Sequence, residues 1–459
     1  MTMKTCWCLL ILRVLAQPAL RKPSTLEQAL VFDAGSSGTR IHIFNMYVQH
    51  GKAVPSVDLS VRDNQTWKVK PGLSHFARSD DLQGCRDSIN RLVAFAKQFV
   101  KGHRQRETPV LLKATAGLRA VPSEKAKAVL ETVRSTLLSS GFWFHEDWAD
   151  IIKGKEEAGL AWIAANYLHG TFGEESSSSP SLGIIEMGGG STQVSFQIEA
   201  QEVPKVAESD TFEFRTALGK TYHLYAHSYL GFGQDYAQDK LIDLSDGNQD
   251  PCYPKGYSRE RHGSKMEGVG SSQQCESNIQ RLLFQESTAP GRYEYELPLR
   301  GSLIATENFF YVRQDLKFDK MEGVPPSEEE ASQVCGKELA SSFEKACFAL
   351  SYQLAFLAAV KATDLGEVKV MRKINGGDID WALGAALVHL LQTRSTGPGS
   401  ASWIRITAWT PMPLWLTLLA SIGLFFGFTM YLVRRQKCPP KAMAMKMDPT
   451  LFGAKNGLE

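Results

Sequence analysis

Two stretches of the chain carry the same pattern of apolar and polar positions. In Ala29–Phe44 (ALVFDAGSSGTRIHIF) an apolar run ends in Asp33, a Gly/Ser turn follows, and Ile41 and Ile43 then recur at every second position. In Leu182–Ile198 (LGIIEMGGGSTQVSFQI) the run ends in Glu186, a Gly-rich turn follows, and Val194, Phe196 and Ile198 alternate with polar residues. Period-two alternation after a Gly-rich bend predicts two β-hairpins. Helical spacing appears between Glu156 and Leu168, where Leu160, Ile163, Ala164, Tyr167 and Leu168 form one stripe and Gly170 supplies the stop. Ser327 with Glu330, just after Pro325-Pro326, predicts a helix opened by a capping box.

The C-terminal pattern is of another kind. Pro413–Val433 contains no charged residue. At ~1.5 Å per residue it reaches roughly the ~30 Å hydrocarbon thickness of a bilayer. Trp415 and Tyr431 lie near its ends, and Arg434, Arg435, Lys437 and Lys441 follow at once. The positive-inside rule then predicts a transmembrane helix with a cytosolic tail, 434–459. At the other end, Lys4 precedes a short apolar run, Thr5–Leu15, interrupted by Arg13. Segment 1–28 therefore reads as a signal peptide or short N-terminal anchor. Asn64-Gln65-Thr66 is a glycosylation sequon, meaningful in a secretory compartment. These ends predict a single-pass protein of the secretory pathway, Golgi, endoplasmic reticulum or cell surface, with its catalytic part lumenal or extracellular.

Composition narrows the partners. With 51 basic and 49 acidic residues in 459, the charge is too balanced to predict nucleic acid binding. Cys85, Cys252, Cys275, Cys335 and Cys347 fall in the exported part. Short separations favour pairing Cys252 with Cys275 and Cys335 with Cys347, which leaves Cys85 over. Reduced core cysteines are the alternative.

The two hairpins carry the candidate chemistry. Glycines let backbone N–H groups close on a phosphate, and successive N–H groups form an anion-binding concavity. Ser36, Ser37, Thr39, Ser191 and Thr192 add hydroxyls, and Asp33 and Glu186 at the strand ends are placed to hold a cation through water. One such loop can be an ordinary tight turn; two with an acid at the same offset suggest two lobes gripping one polyphosphate. Gly219-Lys220-Thr221 is no P-loop, because Phe214 stands where that motif needs glycine.

The two-hairpin plan is similar to the actin, sugar-kinase and hexokinase superfamily. Asp33–Arg40 (DAGSSGTR), Lys113–Arg119 (KATAGLR), Glu157–Leu168 (EAGLAWIAANYL), Gly188–Gln193 (GGGSTQ) and Asn375–Gly384 (NGGDIDWALG) resemble, in order, the five signature regions of the apyrase family. Those are the nucleoside triphosphate diphosphohydrolases. The resemblance spans Ala29–Leu391. It implies an α/β fold of two actin-like (ribonuclease H-like) lobes, 29–166 and 167–393, with a nucleotide cleft between them. The last helix may return to the first lobe, and 394–412 links to the membrane helix, 413–433.

The same resemblance implies roles. Glu157 matches the base acting on the attacking water, and Ser191 and Gln193 the residues positioning it. Asp33 and Glu186 match the acids around the metal, Mg²⁺ or Ca²⁺, since the donors are all oxygen. Ser36, Ser37, Gly38, Thr39, Thr115, Gly188, Gly189, Gly190 and Thr192 match the phosphate cradle, and Trp381 a tryptophan close to it. Phe309, Phe310 and Tyr311 fall where the family carries aromatic residues, the last two able to sandwich a base; Tyr352 and Phe356 are further candidates. From the residues alone, Glu157 in a first helical turn is explained as readily by the helix dipole. The sequence departs from the family at Glu186, usually Asp, and at Ala158, usually Gly. The implied activity is metal-dependent hydrolysis of nucleoside di- or triphosphates, closest to the secretory-pathway nucleoside diphosphatases. The alternatives are another actin-like phosphohydrolase, such as an exopolyphosphatase, and a non-catalytic nucleotide receptor.

Overall fold

A computed structural model describes residues 25–395, apart from 50–53, 61–64, 173–179, 217–218, 245–246, 262, 291–298, 300–301, 319–321, 338–343 and 363–367. Asn64, the N-terminal apolar run, most of the linker and Pro413–Val433 lie outside the described residues. Among those described, no helix is long and apolar enough to cross a membrane.

Two sheets organise the fold. The first is built from β1 (Thr25–Ala34), β2 (Thr39–Val48), β3 (Ser56–Val57), β4 (Thr66–Val69), β5 (Val110–Ala114) and β6 (Ala149–Ile151), in the order β3-β2-β1-β5-β6 with β4 on β2. β1 and β2 form the first predicted hairpin, and β5 joins β1 in parallel. Helices α1 (Leu82–Phe99) and α2 (Ser123–Leu138) pack together beside this sheet over a core that includes Leu30, Phe32, Ile41, Leu112, Leu92 and Val133.

The second sheet repeats the plan. β7 (Gly183–Met187) and β8 (Ser191–Ile198) form the second hairpin. β9 (Thr211–Arg215) and β10 (Thr221–Leu230) extend it on one side. The small strands β11 (Gln249–Asp250), β12 (Ser258–Arg261) and β13 (Ser264–Gly268) make a separate sheet. Returning to the main sheet, β14 (Leu303–Glu307) joins β7 in parallel, followed by β15 (Val368–Val370). Thus each sheet has an acid-ended strand flanked by its hairpin partner and by a parallel neighbour. Cys252–Cys275 and Cys335–Cys347 are bonded, and Cys85 is free and buried, as the spacings predict.

Helix α3 (Gly154–His169) falls in the first lobe by chain order, yet it packs on β7, β8, β9 and β10. Helix α5 (Trp381–Ser395) comes last in the second segment, yet it packs on β1 and β2. The two helices also lie against one another. One apolar cluster therefore joins Val31 and Phe44 of the first sheet, Ile163 and Trp162 of α3, Leu387 of α5 and Leu224 of β10. Helix α5 thus adjoins the first sheet, and α3 crosses the boundary expected near Asn166.

Helix α3 starts and stops for local reasons. The Glu156 carboxylate accepts the Lys153 N–H at 2.8 Å, and Gly170 takes φ 85° to end the helix. Helix α4 (Ala346–Ala359) is apolar all round because it runs through the second core, where Tyr352 and Phe356 are buried. The Ser327 capping box forms as predicted: Ser327 Oγ accepts from Glu330 N, and the Glu330 carboxylate from Ser327 N.

Candidate functional site

The two hairpin turns are closed alike. Gly35 N donates to Gly38 O, and Gly188 N to Ser191 O, each at 3.0 Å. The turns face one another across a cleft: a Cβ built on Gly189 would stand 3.1 Å from Ser36 Oγ. That cleft is lined by Asp33, Ser36, Ser37, Thr115, Glu157, Glu186, Gly188, Gly189, Gly190, Ser191, Gln193 and Trp381, all named as candidates from the sequence, and by Gly35. Arg40, Lys68, Ala116, Glu307 and Asp380 complete the wall.

Each turn is braced by a glycine from elsewhere. A Cβ on Gly72 would stand 2.6 Å from the carbonyl oxygens of Gly35 and Ser36. A Cβ on Gly233 would stand 2.3 Å from Ser191 N. Backbone packs on backbone at both places, which only glycine permits.

Six candidate phosphate or base contacts are not among the residues that line the cleft. Strand alternation sends neighbouring side chains to opposite faces. Ser191 and Gln193 of β8 point into the cleft, so Thr192 points away; it is buried and its hydroxyl donates to Phe232 O at 2.8 Å. Arg40 of β2 lines the cleft, so Thr39 is buried on the other face. Gly38 lies beneath Lys68 and Val69. Phe310 is packed in the second core, which leaves Tyr311 without the predicted sandwich partner. Tyr352 and Phe356 are core residues too, and the Tyr352 hydroxyl donates to Phe232 O at 2.7 Å.

Capping settles which of two adjacent acids faces the cleft. Glu156 is engaged at the helix start, while Glu157 turns inward and is buried. Its carboxylate accepts from the Arg119 guanidinium, and the neighbouring Gln193 amide also favours its charged form. Gln193 Nε2 also donates to Ser191 Oγ at 2.7 Å and to Ser228 Oγ at 3.1 Å, and Arg119 Nη1 lies 3.4 Å from that same Ser228 oxygen. A buried carboxylate, two polar side chains and the two facing Gly-rich turns are thus assembled from both lobes.

The electrostatics describe a site short of positive charge. Burial, reinforced by Asp380, pushes the Asp33 carboxyl up to about 8 against the pull of Arg40. Burial and then the negative charges of Glu157, Glu307, Asp380 and Asp33 hold Glu186 well above the carboxylate range. Burial raises Glu157 as well, and Arg119 opposes it. Glu186 Oε2 is buried without a hydrogen-bond partner. Desolvated acids with an orphaned oxygen fit a divalent cation. Among the described residues no three acids, histidines or cysteines close into a direct cage.

Sequence reasoning passed over several cleft residues. Arg40, Arg119 and Asp380 stood inside quoted motifs, but only the folded contacts reveal them and Ser228. Lys68, whose Nζ donates to Ser37 Oγ at 2.9 Å, and Glu307 carried no signal.

Comparison with known proteins bears on the family and the fold. The model of the GDA1/CD39 (nucleoside phosphatase) family matches residues 21–294. Probable apyrase 4 of Arabidopsis thaliana is 31% identical over 415 residues, covering 80% of this chain and 80% of that one. "Nucleoside diphosphate phosphatase ENTPD5" of Homo sapiens is 29% identical over 388 residues, covering 79% and 87%. Among solved structures, a nucleoside triphosphate hydrolase of Neospora caninum superposes with TM-score 0.59 at 14% identity, covering 84% of this chain and 95% of that one, which establishes a shared fold.

Proposed function

The chain belongs to the GDA1/CD39 (nucleoside phosphatase) family and is a nucleoside phosphate hydrolase, and we propose that it works by direct attack of a water deprotonated by Glu157. The observation that carries this reading is the network Arg119–Glu157–Gln193–Ser191 beside the facing turns. Burial raises the Glu157 carboxyl and Arg119 opposes that rise, which favours the ionised form that accepts a proton. Gln193 and Ser191 offer a donor and an acceptor that orient the water in line with the terminal phosphorus. The N–H groups of the two Gly-rich turns, Ser36, Ser37 and Thr115 hold the terminal and penultimate phosphates, and Lys68 and Arg40 offset charge at the cleft wall. No covalent intermediate is needed.

The family is generally divalent-cation dependent. Asp33 and Glu186 would hold Mg²⁺ or Ca²⁺ through water, and the cation would supply positive charge against that developing on the phosphates. The name of the human relative supports nucleoside diphosphates as substrates. The apolar run Pro413–Val433 with its basic flank supports a membrane anchor, and with it a lumenal or extracellular site in the secretory pathway.

Phosphate release from UDP, GDP, ADP, UTP and ATP by the purified full chain, with and without Mg²⁺ or Ca²⁺, tests the mechanism beside Glu157→Gln. Loss of roughly 10²-fold or more in kcat at an unchanged melting temperature is expected. A Glu157→Gln enzyme that turns over at the native rate would remove the base from that role.

A further inference from the structure

Glu307 ends β14 in a backbone conformation that side-chain-bearing residues avoid, φ 61° and ψ −117°. Such strain persists where the surroundings over-determine it, and it clusters at binding sites. The position opens the short helix Asn308–Asp315, yet the Glu307 side chain caps none of its N–H groups. Nor does its carboxylate accept a hydrogen bond from any described residue, although Arg40 is its strongest attractive neighbour. A carboxylate without a donor among the described residues is thus held at the cavity wall by a costly backbone.

Their location narrows the ligand. Glu307 belongs both to the phosphate cleft and to an adjoining side chamber of about 340 Å³. The chamber is reached past Arg40, Lys68 and Asp380, which the two cavities also share, and it continues to Tyr311, Trp67 and Arg372. A nucleotide whose phosphates sit between the hairpin turns has its sugar at this junction and its base beyond it. A carboxylate with free acceptor sites matches the two donors of a vicinal diol. We propose that Glu307 is a specificity-determining residue that accepts hydrogen bonds from the ribose hydroxyls of the bound nucleotide. This rests on the nucleotide-hydrolase reading above and adds the part of the substrate that Glu307 recognises.

The test compares UDP with its 2′-deoxy, 3′-deoxy and 2′,3′-dideoxy analogues in the full chain, Glu307→Gln and Glu307→Ser. A hydrogen bond to a charged acceptor predicts roughly a ten- to hundredfold preference in kcat/KM for the ribonucleotide over the dideoxy form. The preference should reside in KM, shrink in Glu307→Gln, and fall to within about twofold of parity in Glu307→Ser. Glu307→Gly, which relieves the positive φ, should melt no lower than the native chain and yet lose the preference, which separates recognition from folding. A native enzyme that treats ribose and dideoxyribose alike overturns the proposal, as does a preference that survives in Glu307→Ser. A shifted Mg²⁺ or Ca²⁺ requirement in Glu307→Ser, with the sugar preference intact, would assign the carboxylate to the cation and also overturn it. Absence of phosphate release from every substrate would instead overturn the hydrolase reading, so the two failures are distinguishable.

Discussion

Substitution of Gly233 by alanine tests whether the second phosphate turn is held as rigidly as the structure indicates. Gly233 sits in the segment that follows β10 and runs beneath the turn. Three backbone hydrogen bonds tie the two together: Gly231 N to Gly190 O at 2.9 Å, Gln234 N to Gly188 O at 2.9 Å, and Tyr236 N to Gly189 O at 3.0 Å. An alanine methyl would stand 2.3 Å from Ser191 N and 2.5 Å from both Gly189 C and Gly190 N. Carbon contacts settle near ~3.5 Å, so the two backbones must part by about 1 Å. No rotamer relieves the clash, because every atom it meets is main chain. Overpacking of this kind costs roughly 1–3 kcal/mol, and stretching the three tethers adds to it. A shift of about 1 Å in groups that position a substrate costs on the order of 10²-fold in rate. Gly231→Ala is the control: its φ is 86° but open space surrounds it, so only backbone strain of about 1 kcal/mol enters. Phosphate-release kinetics and thermal melting of both variants decide the matter. A Gly233→Ala enzyme with kcat/KM within threefold of the native value and an unshifted melting temperature would refute the brace.

Other consequences are as direct. Arg119→Ala leaves Glu157 buried without its cation, which raises the carboxyl further; activity should fall more at pH 6 than at pH 9, and an unmoved pH–rate profile would dissociate Arg119 from the base. Burial, with Lys113 nearby, lowers His389 to about 4 from 6.5, so the unfolded chain binds the proton first and this contribution to stability is present above pH 6.5 and lost as pH falls toward 4. By pH 5 the loss is roughly 2 kcal/mol, and His389→Leu should abolish that component in urea titrations at pH 7 and pH 5. Asn166, fully buried, donates to Trp162 O and Leu182 O and accepts from Leu182 N and Thr171 Oγ1. Asn166→Leu should cost roughly 3 kcal/mol in chemical denaturation, since it orphans several buried groups at once.

The repeat was legible because its signal is local. Alternation, a Gly-rich bend and a terminal acid are written within Ala29–Phe44 and again within Leu182–Ile198. Glu157, Gln193 and Asp33 follow from the motifs, and both disulfides from short separations. What the sequence hid is non-local or directional. Thr39 and Thr192 have the right chemistry but occupy the wrong face of strands whose other residues reach the cleft. Phe310 and Tyr311 are adjacent aromatics, yet one fills the core and the other a chamber wall, a difference set by the helix that begins at Asn308. Glu307 is marked only by its dihedral angles, and the bracing glycines only by what a methyl group would strike.

The crossing helices tie this geometry to catalysis. Helix α3 packs on the second sheet, so Glu157 is carried by the same body as Glu186, Ser191 and Gln193. Asp33, Ser36, Ser37 and Thr115 belong to the first sheet and its loops. Arg119, at the end of a short first-lobe helix after β5, reaches across to Glu157. The proposed base therefore draws on both lobes: the Arg119 guanidinium from the first opposes the rise that burial imposes on the Glu157 carboxyl, and Gln193 and Ser191 adjoin it from the second.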